Sequence, residues 1–133
     1  MDMMDTLPPD AGRLLDFWFA DALQSPAAAR RRVELWFGHH PTFDAALAER
    51  FGDWPERALR GEFDRWRASA RGTLALLITL DQLPRNLYRG STRAYVCDPA
   101  ALALAESAVR DDLPVTLNPI EVPFFYLPFE HSE

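Results

Sequence analysis

The residues able to do chemistry crowd into one run, L-D-Q-L-P-R-N-L-Y-R-G at 80–90. Within nine residues it offers one acid (Asp81), two amides (Gln82, Asn86) and two guanidiniums (Arg85, Arg89). Four-residue spacing puts Asp81, Arg85 and Arg89 on one helix face if the helical path survives Pro84. Two arginines against one acid leave a guanidinium free for phosphate or carboxylate, with Gln82 and Asn86 adding neutral hydrogen bonds. The competing reading of the same residues is a structural Asp–Arg network, because a carboxylate at the end of a buried helix must be paired. A second constellation is His131-Ser132-Glu133. An imidazole close to a carboxylate can serve general acid–base work, with His131 or Asp81 as base. His39-His40 add nitrogens, but no two ligands share a helix face at metal-binding spacing, so no metal or cofactor is implied. Cys97 is a lone thiol, a nucleophile only if His131 folds beside it and otherwise a small buried residue.

The element that must position this run lies directly before it. Leu74, Ala75, Leu76, Leu77, Ile78 and Leu80 leave almost no polar face, so the helix opening near Ser69 is buried on all sides. It falls short of the roughly 20 apolar residues that a bilayer requires. Pro84 has no N–H for the carbonyl of Leu80, so this helix is expected to stop or kink near Leu83, with a new turn from Pro84 to Tyr88.

Around it the spacing predicts further short helices. Asp10 caps one over residues 11–23, with Leu14, Leu15, Trp18, Phe19 and Leu23 at helical period. Ser25-Pro26 opens a second, with Arg30, Arg31 and Arg32 outward and Val33, Trp36 and Phe37 inward. Thr42 and Asp53 open two more, closed by Gly52 and Gly61. Asp98-Pro99 and Asn118-Pro119 repeat the cap-plus-proline start, and Pro123 makes the last helix kinked or very short. Strand signals are nearly absent. Short helices joined by tight loops predict a single all-α domain over 1–133, built of antiparallel helix hairpins.

Composition narrows the function classes. The net charge of −6 disfavours nucleic acid and anionic membranes. All 14 basic residues are Arg, which excludes lysine Schiff-base chemistry and lysine-dependent phosphate loops. A single cysteine cannot form an intrachain disulfide, and the acidic, proline-containing start is unlike a signal peptide, so a cytoplasmic location is expected.

Several segments occur together in one order: F-W-F at 17–19, W-F at 36–37, F-D at 43–44, the 80–90 run, D-P-A-A-L at 98–102 and L-P-F-E-H-S-E at 127–133. In this the chain resembles the bacterial family known as domain of unknown function 924. The resemblance implies a tetratricopeptide-repeat-like α-α superhelix and assigns no activity. Family members continue past H-S-E, so the resemblance implies a truncated module here, and they carry a charged residue where Pro123 stands. On that footing Phe124, Phe125, Tyr126 and Phe129 are candidates for a homodimer contact. The leading expectation is a helical domain that binds a small anionic molecule or acidic peptide through Gln82, Arg85, Asn86, Arg89 and Glu133. The alternatives are a hydrolase or lyase using Asp81 or His131 as base on a phosphorylated or carboxylated metabolite, and a protein-interaction module dimerising through its C-terminal aromatics.

Overall fold

The computed structural model describes residues 7–132, and the candidate Glu133 lies outside them. The described residues contain α and shorter helical elements and no strand, as the spacing predicted. No helix among them is long and apolar enough to cross a membrane.

The buried rod begins where Ser69 accepts a hydrogen bond from the backbone N–H of Gly72 at 3.0 Å, a side-chain cap. From there α5 runs over Ala70–Leu77, and Leu74, Ala75, Leu77 and Ile78 are fully buried. Gly72 is required by packing: a Cβ there would lie 2.0 Å from the carbonyl oxygen of Trp66. Beyond Leu77 the chain neither stops nor breaks. It widens into a π-helical stretch, Ile78–Gln82, and continues as α6, Leu83–Leu87. The Leu83 N–H reaches back five residues to the Ile78 carbonyl. This wide turn accommodates the proline: it opens the hydrogen-bond ladder immediately before Pro84, which has no N–H to give to it. The expected break at Leu83 is therefore replaced by a bulge upstream of it.

The other helices gather on this rod. α1 (Pro9–Phe19), α7 (Asp98–Arg110) and α8 (Pro123–His131) pack against α5, while α3 (Pro41–Phe51) packs against α6. Two further helices, α2 (Pro26–Phe37) and α4 (Trp54–Leu59), flank α3 in sequence. α7 and α8 lie against each other, as a helix hairpin requires.

Several local expectations are corrected by long-range bonds. α1 ends at Phe19, four residues short of the expected Leu23, with Ala20 at φ 48°. Its last carbonyls take donors from α2: Arg32 donates to Trp18 through Nε at 2.8 Å and to Phe17 through Nη2, and Trp36 Nε1 donates to Trp18 at 2.9 Å. Arg32 therefore points inward, whereas Val33 and Phe37, expected in the core, are exposed. Asp98 caps nothing, and Asp10 lies inside the first turn of α1, where its Oδ1 accepts from the Ala11 N–H at 2.9 Å. Asp10 accepts from Arg65 and Trp66, and Asp98 is turned toward Arg85. Asn118 accepts from the Ile120 N–H, and Glu121 accepts from the Asn118 N–H in return, but these bonds open only a turn, and Pro123 then starts α8 as its first residue. Phe124 and Phe125 are buried, with Phe124 edge-on to Trp18, Phe19 and Trp36. Of the C-terminal aromatics, Tyr126 is the one substantially exposed.

Candidate functional site

The π-helical stretch delivers Asp81 and Gln82 to the end of the buried rod, and α6 delivers Arg85 and Asn86. Asp81 is 1% exposed. Its Oδ2 accepts from Gln82 Nε2 at 2.8 Å, and its Oδ1 lies 2.8 Å from His131 Nδ1 at the end of α8. Arg85 Nη1 sits 3.3 Å from the same Oδ1 and donates to the Asp81 backbone carbonyl at 2.7 Å. The i,i+4 pairing read from the sequence thus survives the bulge.

Arg85 also forms a two-pronged bond to Asp98, Nη1 to Oδ1 at 2.8 Å and Nη2 to Oδ2 at 3.0 Å. Burial works against its charge, but the Asp98 bonds and the Asp81 carboxylate outweigh that and hold Arg85 above its ordinary pKa. Arg89 lies beyond the end of α6 and turns to α3. Its Nε donates to Asp44 Oδ2 at 2.6 Å and its Nη2 to the Gly38 carbonyl at 3.0 Å. Asn86 Nδ2 donates to the other Asp44 oxygen at 2.9 Å. Gly90, at φ 80°, adopts the left-handed conformation that turns the chain away after Arg89.

The sequence therefore misjudged the charge count. Three carboxylates, Asp44, Asp81 and Asp98, face Arg85, Arg89 and His131. Asp98 has the residue type and position of a helix cap, which hides it as a partner of Arg85. Asp44 was visible only inside the F-D segment, with nothing local to mark it as a partner. Gln82 and Asn86, expected to bind ligand, are 3% and 4% exposed and spend their amides on Asp81 and Asp44.

The two arginines nonetheless reach a common surface. An open groove of about 410 Å³ is lined by His39, Arg85, Arg89, Gly90, Ala94 and Tyr95. The Arg85 guanidinium lies 5.5 Å from the centroid of the Tyr95 ring, and the ring itself is 58% exposed. The short helical turn Thr92–Tyr95, capped by Ser91, presents Ala94 and Tyr95. No motif singled out Tyr95. The Asp81–His131 pair does not line this groove, and it touches it only through Arg85. Cys97 is buried beside Asp98; burial pushes its thiol up, and the Asp98 and Glu56 charges push the same way, which disfavours the thiolate.

A family model described as a bacterial protein of unknown function (DUF924) matches residues 14–133, which include every candidate residue. Among solved structures, the chain is similar to a protein of unknown function, ATU0120, from Agrobacterium tumefaciens, with 35% identity and a TM-score of 0.77. The match covers 91% of this chain and 63% of that one, so the chain spans less than two thirds of the length of this relative. No curated protein matches it. With nearly the whole chain inside one family model and a solved relative sharing its fold, the protein belongs to the bacterial DUF924 family.

Proposed function

We propose that this protein is a cytoplasmic helical domain that binds a small anion, a carboxylate or phosphate, in the groove of Arg85 and Arg89. One observation carries the reading: both formal charges lining the groove are positive, while the carboxylates that orient them are set outside the lining. An arginine locked by a buried acid keeps its remaining N–H donors in a fixed direction, so little side-chain freedom is lost when a ligand docks. His39 and Tyr95 supply a further polar edge and a ring face. Gln82 and Asn86 act one step back, by holding Asp81 and Asp44. The paired helices α7 and α8 support the finer expectation of a tetratricopeptide-like arrangement.

The test is a thermal-shift and calorimetric screen of phosphate and small carboxylates. Arg89→Ala should remove binding and leave the helical circular dichroism signal intact. Because Arg89 also ties α6 to α3, Tyr95→Ala serves as a second variant with no such tie, and it should weaken binding several-fold. Unchanged binding in both variants rejects the groove.

A second reading rests on the Asp81–His131 geometry. A carboxylate that is 1% exposed and 2.8 Å from Nδ1 is the arrangement that orients an imidazole for general-base work through Nε2. A hydrolase or lyase acting on a phosphorylated or carboxylated metabolite would use Arg85 to stabilise developing negative charge. Turnover that His131→Ala abolishes and Cys97→Ala leaves intact would establish it. An inert metabolite panel would remove it.

A further inference from the structure

The charge condition read into the 80–90 run, guanidinium in excess of its own acids, is met in a different part of the molecule. A groove of about 520 Å³ is lined by Arg13 and Asp16 of α1, Phe17 beside them, Arg50 and Phe51 at the end of α3, and Trp54 at the start of α4. Its floor is aromatic. Phe51 and Trp54 are buried and meet edge-to-face at 4.6 Å, and Phe17 stands edge-on to Phe51 at 5.8 Å. The Arg50 guanidinium lies over the Phe17 ring, 4.8 Å from its centroid. Neither Arg13 nor Arg50 forms an ion pair with an acid among the described residues, although Asp16 lies in the same lining.

We propose that this groove is a second binding site, for an aromatic carboxylate. The rings of the floor favour a flat apolar body through offset and edge-on contacts. The two guanidiniums of the rim suit a carboxylate, which arginine can grip through two parallel N–H bonds. Against the one carboxylate of the lining, Asp16, the groove carries two guanidiniums, and neither is held in an ion pair with a described residue. The groove shares no residue with the Arg85–Arg89 groove, so either site can fail without the other.

The probe is 2-naphthoate, titrated into the protein while the Trp54 indole N–H resonance is followed by NMR, with 2-naphthalenemethanol as its uncharged analogue. Naphthoate should shift the Trp54 signal and bind at least tenfold more tightly than the alcohol. The double variant Arg13→Gln, Arg50→Gln should lose at least tenfold in naphthoate affinity and stay folded, with a melting temperature lowered by no more than a few degrees, since both side chains are exposed. His39→Ala, in the other groove, should bind naphthoate as the wild type does. Equal affinity for acid and alcohol, unchanged affinity in the double variant, or no Trp54 shift at millimolar naphthoate would each overturn the proposal. The acid–alcohol comparison needs no variant, so it decides the matter even if the double variant folds poorly.

Discussion

Each of the two grooves has a pair of arginines in its lining, and the pairs are held in opposite ways. Arg85 and Arg89 are anchored from behind by Asp81, Asp98 and Asp44, and they join α6 to α3 and to α7. Arg13 and Arg50 stand on the surface with an aromatic floor beneath them and no paired acid among the described residues. The first pair is a fastening that also faces a groove; the second is charge at a rim. Whether a guanidinium is spare depends on which acids the fold brings to it, which neighbours in sequence do not reveal.

That contrast can be broken most directly at Asp81. Asp81→Ala removes the acceptor shared by Arg85, Gln82 and His131, and should cost about 3–5 kcal/mol in urea denaturation. A loss below about 1 kcal/mol would mean that the anchored pair is no fastening. Asp44→Ala strips Arg89 and Asn86 of their acceptor and should cost about 1.5–3 kcal/mol by the same measurement. At the other groove, Arg50→Ala forfeits its position over Phe17 and should cost about 0.5–1 kcal/mol, and Arg13→Ala should stay within about 0.5 kcal/mol of wild type. Comparable losses at Arg13 and Asp44 would erase the distinction. The smallest effect concerns Cys97, whose raised pKa keeps it a protonated thiol at neutral pH. Iodoacetamide should label it more slowly than free cysteine at pH 7.5, and the rate should climb as the pH rises toward its pKa.

The all-α class and the buried rod were legible because they depend on apolar spacing and on local caps. Ser25 does cap its helix with its side chain, as its position in the sequence implies, and Ser69 caps the rod in the same way. The errors fall where a local signal competed with a distant partner. Asp10 and Asp98 carry the residue type and position of caps, yet Asp10 adds bonds from Arg65 and Trp66 to the one it accepts from the Ala11 N–H, and Asp98 turns to Arg85 in a two-pronged bond. Arg32 reads as one of three outward arginines, yet it turns inward because α1 ends in carbonyls that need donors. The candidate site was found by its arginines and misjudged by its acids. Asp44 and Asp98 lie 45 residues before Arg89 and 13 residues after Arg85, beyond the reach of any spacing rule. The Asp81–His131 approach, across 50 residues, was equally out of view.

The wide turn at Ile78–Gln82 acts as a phase shifter between the greasy part of the rod and its polar end. One residue of an ordinary helix advances the side chains by about 100°. Winding the same residues into a regular spiral, with none removed, would swing everything downstream by about that angle, so that Arg85 would face away from Asp98. A variant with one residue added to this five-residue stretch should therefore keep its helical content while losing the polar assembly at its tip.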